Sequence, residues 1–360
     1  MNKLAKRKKN IRVKLKKVKD IKKEPVFEIG LAILRPFLAL FVVMTHCYNY
    51  NLVTGKLRMI IIKTDRLFFH VRIFMTMSFY FSYKALSSND FFRKIKRLER
   101  LFIPYFIWPL IIFFTNKYLK NFFRLNQNIT LNDLKIQLLT GAGFLPAFWY
   151  QWDLIFLTIS FSLIIILFRN HYNFISLIIS LIAIIYQYNG KNRQYFSKFK
   201  YMYFPLGRLA EMAPFAVVGL IIASSGIVNY FKKYKIKTLI VLLFLLYILF
   251  NFNLFYGTSG FDYNGLKMFF ISIFIFVLFA VFPSEKINNK IILKIIKKIT
   301  NHTGGVYYLH FQIYRISSSY FKPIRNKTIK GCIINYIICY FICFIGSLIF
   351  GKTILRNLFE

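Results

Sequence analysis

The feature that most constrains this chain is a series of about ten apolar runs, each close to the roughly 20 residues a helix needs to cross a hydrocarbon core of about 30 Å. Polar breaks set the windows at 26–48, 67–86, 101–118, 148–168, 174–188, 206–227, 238–255, 266–282, 303–320 and 331–350. A backbone in lipid must satisfy its own hydrogen bonds, so the runs predict helices and the fold class is all-α, a polytopic transmembrane helical bundle. The window at 174–188 is short for a span.

Charge then separates membrane from nucleic acid. The chain carries 51 Lys and Arg against 12 Asp and Glu, a net charge of +39. Twelve of those cations fall in the first 27 residues, opposed by Asp20 and Glu24. A basic block beside a first span sets orientation and attracts anionic lipid, so the expected partner is membrane lipid and no nucleic acid. The tail is too long for a cleaved leader, and further spans follow it.

These signals divide the chain into a basic cytoplasmic tail at 1–25, a membrane domain at 26–352 and a short tail at 353–360. An even number of spans places both termini in the cytoplasm, in a multi-pass plasma-membrane protein. Arg93, Lys94, Lys96, Arg97 and Arg100 in one loop and Lys232, Lys233, Lys235 and Lys237 in another agree with that side being inside. Lys191, Arg193, Lys198 and Lys200, and Lys322, Arg325 and Lys327, fall on the opposite side. A weakly amphipathic stretch at 131–139 suits the membrane surface. No internal repeat is present. Cys47, Cys332, Cys339 and Cys343 lack metal-ligand spacing and read as small apolar residues, so no metal is expected.

Ionisable residues inside apolar runs are expensive and mark function. Arg35 and His46 are eleven positions apart, which at about 100° per residue returns them to one face with a rise of about 16.5 Å. Snorkelling of Arg35 and an interfacial His46 is the plainer reading. Pro36 removes a backbone donor beside Arg35. Arg93, Arg97 and Arg100, ahead of Phe102-Ile103-Pro104-Tyr105, suit a phosphate-bearing ligand, because each guanidinium fork matches two oxygens; they also suit a topology signal. Arg208 and Glu211 stand one turn apart, as a site or as a structural ion pair. Tyr307-Tyr308-Leu309-His310, then Gln312, Tyr314 and Arg315, is the densest polar stretch within a window. Asp153 lies with Trp149, Tyr150 and Trp152, an aromatic belt or a sugar-binding wall. His70, His171 and His302 fall at window edges or loops and receive no role.

Taken in order, Arg35-x10-His46, Arg97-x-x-Arg100 leading into Phe102-Ile103-Pro104-Tyr105, Arg208-x-x-Glu211 with Gly219, and Tyr308-Leu309-His310 resemble the integral membrane acyltransferases of acyltransferase family three. The look is nearest to the poly-N-acetylglucosamine O-succinyltransferase branch. Ala32 stands where the family often has an acid, and Phe79 follows Ser78 where Ser-Gly is common. The resemblance implies an enzyme transferring an acetyl or succinyl group from acyl-CoA to a glycan hydroxyl, with polysaccharide synthase components as expected partners. It implies that Arg97 and Arg100, with Arg93, bind the donor phosphates and that Arg35 holds the pantetheine arm. His46 is then a general base or a nucleophile, and His310 and Arg315 stabilise the oxyanion or orient the acceptor. Arg208, Glu211, Arg315 and Trp149 are the expected acceptor-side residues. A polysaccharide or lipid-linked sugar exporter fits the spans equally well.

Overall fold

The structure is a computed structural model, and it describes residues 28–48, 69–119, 121–123, 128–145, 147–188, 203–251, 266–282, 287 and 289–360. The basic tail at 1–25 and the loop holding Lys191 to Lys200 lie outside the described residues. Among the described residues the chain is helical, with no strand. The helices are α1 (Ile29–Cys47), α2 (Phe69–Leu86), α3 (Phe91–Leu119), α4 (Leu131–Thr140), α5 (Phe148–Leu167), α6 (Tyr172–Tyr188) and α7 (Tyr203–Ser225). They continue with α8 (Ile227–Lys233), α9 (Lys235–Asn251), α10 (Leu266–Ala280), α11 (Lys290–Ser317), α12 (Lys322–Arg325) and α13 (Ile329–Phe350), and a 3₁₀ turn at Ile354–Leu358 closes the series.

A helix occupies each of the ten apolar windows. Among the described residues, five are long and apolar enough to cross a membrane: Ile29–Cys47, Phe91–Leu119, Phe148–Leu167, Leu206–Ser225 and Ile329–Phe350. Tyr172–Tyr186 and Lys267–Ala280 are apolar but shorter. Of the other three, α2 carries His70, Arg72 and Lys84, α9 has 17 residues, and α11 opens with Lys290, Lys294, Lys297 and Lys298.

Two helices extend well beyond their windows. α3 begins at Phe91 and takes in the basic stretch expected to be a loop, and α11 begins at Lys290 rather than near 303. Lys and Arg are good helix formers, so charge ends an apolar run without ending a helix. Asn289 starts α11 by accepting hydrogen bonds from the backbone N–H groups of Ile291 and Ile292. The amphipathic stretch at 131–139 is α4, opened by a reciprocal Thr130–Asp133 capping box and closed by Gly141 in the left-handed region, φ 67°.

α1 packs against α2, α10, α11 and α13, while α2 also meets α3, α5 and α7, so α1 and α2 form the centre of the bundle. The polarity is inverted relative to a water-soluble fold. Phe244, Leu181, Ile182, Phe341 and Leu348 face outward, whereas Arg72, Asp153, His310 and Asn335 are buried. Such a surface suits hydrocarbon. The four cysteines are free and buried, as read from the sequence.

Pro36 leaves α1 unbroken. A proline has no N–H for the carbonyl four residues earlier, here Ala32, and that oxygen instead accepts a hydrogen bond from the Thr300 hydroxyl of α11 at 2.7 Å. The Pro36 carbonyl accepts another from Tyr336 of α13. Neighbouring side chains thus replace the lost backbone bond, the usual remedy for a proline in lipid.

Candidate active site

A cavity of about 740 Å³ opens beside the centre of the bundle. Arg35 of α1 and Arg97 and Arg100 of α3 line it together, with Ser78 of α2, Tyr150 and Gln151 of α5 and Tyr307 and Tyr308 of α11. The early start of α3 makes this possible, because a helical register holds Arg97 and Arg100 one turn apart on the cavity side. Its lining carries six cationic side chains, Arg35, Lys96, Arg97, Arg100, Lys352 and Arg356, against the carboxylates of Glu99 and Glu360. Nε of Arg97 is buried and has no hydrogen-bond partner among the described residues. Such a surplus of donors calls for an anionic ligand with several acceptor oxygens.

The polar wall is fixed by hydrogen bonds. Gln151 donates to the Leu101 carbonyl at 2.9 Å and accepts from the Tyr308 hydroxyl at 2.8 Å. Tyr307 donates to the Ala147 carbonyl at 2.6 Å, and the Ser78 and Tyr150 hydroxyls lie 3.3 Å apart. These contacts lock α2, α3, α5 and α11 around the cavity.

An aromatic line leads from the cavity to a pair of histidines. The Tyr150 and Tyr307 rings are 5.5 Å apart, Tyr307 and His310 6.2 Å, and His310 and His46 5.3 Å. α1 therefore presents Arg35 to the cavity and His46 to the far end of this line, the shared face expected from their spacing. Nδ1 of His310 lies 2.7 Å from the Tyr307 carbonyl, which only accepts, so this nitrogen carries the hydrogen. Nε2 of the neutral ring is then an acceptor, and it is buried without a partner among the described residues. Asn335 of α13 donates to the His310 carbonyl at 3.0 Å and fixes the backbone beneath the ring. Phe311 stands against His46 with ring centroids 5.9 Å apart. Arg315 lies 4.3 Å above Phe311 and donates to the Phe144 carbonyl at 3.1 Å.

Other expected site residues lie elsewhere. Arg93 does not line the cavity; it is exposed and pairs with Asp90 at 3.1 Å. Arg208 and Glu211 do not pair with each other. Arg208 reaches across to Asp153 of α5 at 3.3 Å and donates to the Thr140 carbonyl at 2.7 Å, between Trp149 and Trp152. Glu211 instead meets Arg72 of α2 at 3.2 Å. The physical reason is burial: a carboxylate fully removed from solvent requires a cation, and Asp153 takes the nearest one. Trp149 is thus a face of the Arg208 site. Ser78 lines the cavity, and Phe79 packs edge to face on Phe161 at 5.6 Å.

Sequence reasoning placed Tyr150 in an aromatic belt or a sugar-binding wall, and passed over Gln151 as a cavity residue, Asn335 as the support of His310, and His70. His70 is buried in α2, and His302 is buried within α11 beside Phe344. The polar cluster around Tyr308 and the aromatic stretch holding Tyr150 signalled that wall in advance.

Neither the curated proteins nor the solved structures contain a match to this chain. The family model Acyl_transf_3, an acyltransferase domain, matches residues 28–352. With a match over most of its length and the Arg35, His46, Arg97 and Arg100 arrangement in one bundle, the chain belongs to acyltransferase family three and is a multi-pass membrane acyltransferase.

Proposed function

We propose that this enzyme transfers an acetyl or succinyl group from a cytoplasmic acyl-CoA to a hydroxyl of a cell-surface or extracellular polysaccharide. The observation that carries the reading is the cationic cavity joined by the Tyr150–Tyr307 line to the His46–His310 pair. A donor with a polyphosphate end and a reactive thioester end needs those two environments, separated by the length of its pantetheine arm. The rise of about 16.5 Å from Arg35 to His46 along α1 suits such a ligand.

In this mechanism Arg97 and Arg100 hold the donor phosphates and Arg35 holds the arm. His46 accepts the proton of the acceptor hydroxyl as its oxygen attacks the thioester carbonyl. The carbon–sulfur bond then breaks, and the departing thiolate takes that proton from the imidazolium, which restores neutral His46. His310 presents Nε2 as an acceptor, which favours orienting the sugar hydroxyl over donating to an oxyanion. Arg315, behind Phe311, bounds the acceptor side. The reading includes about ten spans in the plasma membrane, both termini in the cytoplasm, and contact with polysaccharide synthase components.

The test is mass spectrometry of surface glycans from cells making the wild type or His46→Ala at matched membrane levels. Loss of an acetyl or succinyl ester in the variant is expected, and the mass identifies the group. Equal ester content in both strains overturns the proposal.

A further inference from the structure

The segment 351–360 packs back into the bundle through a prepared seat. The Phe359 ring lies on Phe350, with centroids 5.7 Å apart, and meets Trp108 of α3 at 5.8 Å, whose indole N–H donates to the Leu358 carbonyl at 3.3 Å. Three helical glycines leave the space it occupies. A Cβ on Gly346 would lie 2.4 Å from the Phe359 ring, one on Gly305 2.7 Å from the Phe359 carbonyl, and one on Gly304 2.9 Å from the Glu360 carbonyl. Seated in this way, the segment adds Lys352, Thr353, Arg356 and Asn357 to the lining of the cavity that Arg35, Arg97 and Arg100 share. Arg356 pairs through Nε with Glu360, whose other oxygen accepts from Ser347 at 2.8 Å.

We infer that this seated segment is the second half of the donor's phosphate site: Lys352 and Arg356 bind the phosphates of the nucleotide end opposite Arg97 and Arg100, and Glu360 holds Arg356 until a phosphate replaces it. The inference rests on the donor assignment above and adds residues to it. The Arg356 side chain is 49% exposed, so its guanidinium is open to a ligand entering the cavity. A phosphate offers a bidentate partner of higher charge than the single Glu360 contact, and the exchange needs only a side-chain rotation.

The experiment measures binding of adenosine 3′,5′-bisphosphate and of pantetheine to the full-length protein in lipid nanodiscs, for the wild type, Arg97→Gln, Arg356→Gln, Arg356→Lys and Glu360→Gln. Arg356→Gln is expected to weaken the bisphosphate roughly two- to fivefold, the upper part of the range for a half-exposed charge contact, with pantetheine affinity unchanged. Arg356→Lys recovers part of the loss, and Glu360→Gln tightens binding because the competing carboxylate is gone. A purely structural arginine would alter thermal stability without separating the two probes. Weakening by Arg97→Gln but not by Arg356→Gln overturns this inference and leaves the donor site standing. Bisphosphate binding that neither substitution weakens overturns both.

Discussion

The Arg208–Asp153 pair offers the sharpest test of the packing. Asp153 is 0% exposed and Arg208 8%, so neither charge retains solvent as an alternative partner. Arg208→Met keeps much of the side-chain volume but leaves the Asp153 carboxylate buried alone, at a cost of about 3–5 kcal/mol. Loss of the 2.7 Å hydrogen bond to the Thr140 carbonyl adds about 1 kcal/mol, and loss of the Trp149 and Trp152 faces about 0.5–1 kcal/mol each. The single variant is therefore destabilised by about 5–8 kcal/mol. Asp153→Leu combined with Arg208→Met removes both charges and recovers most of the buried-charge cost. The assay is thermal unfolding in detergent followed by a thiol-reactive fluorophore, because the four buried cysteines react only on unfolding. Double-variant stability equal to the sum of the two single losses would refute the pairing. Recovery of the Arg208→Met loss by Glu211→Gln, instead of by Asp153→Leu, would show that the intrahelical pair is the real one.

Three other outcomes follow from particular contacts. Gly219→Ala places a methyl 2.3 Å from the Thr76 carbonyl, so α2 and α7 must separate; a loss of about 1–3 kcal/mol is expected in the same assay. Asn335→Leu removes the hydrogen bond that fixes the His310 carbonyl and should slow acyl transfer roughly tenfold while membrane levels hold, as measured by glycan ester content per unit protein. Hydrogen bonds from the Thr130 N–H and hydroxyl hold the Asp133 carboxyl below its ordinary 3.8, so its stabilisation of α4 is present above that value and is lost as pH falls through the folded value. The amide-exchange protection of residues 131–134, taken relative to the unstructured rate at each pH, should fall on acidification in the wild type, and Asp133→Asn should flatten that dependence.

Periodicity and length carried the reading of the membrane domain a long way. The Arg35–His46 face was legible because both residues sit on one helix, where a spacing of eleven has a fixed geometric meaning. The ends of α3 and α11 were not, because hydropathy responds to apolar content whereas a helix continues through Phe91–Arg100 and Lys290–Lys298 on propensity alone. The fate of Arg208 was hidden for a different reason. Its neighbour in sequence is Glu211, but its partners, Asp153 and the Thr140 carbonyl, come from α5 and α4 and meet it only in the packed bundle. The seat of Phe359 depends in the same way on glycines in two separate helices. Spacing along one helix could be read from sequence; contacts between helices required the structure.

The proline in α1 has a mechanical consequence. Because the Ala32 carbonyl is held by Thr300 and the Pro36 carbonyl by Tyr336, α1 is tethered to two neighbours at the level of Arg35. A piston-like slide of α1 along its axis would break both tethers at once and leave the Ala32 carbonyl oxygen stranded. The axial separation between the guanidinium and the imidazole is thereby held as a fixed gauge. Movement at this level of the bundle then falls to side chains turning around a stationary rod.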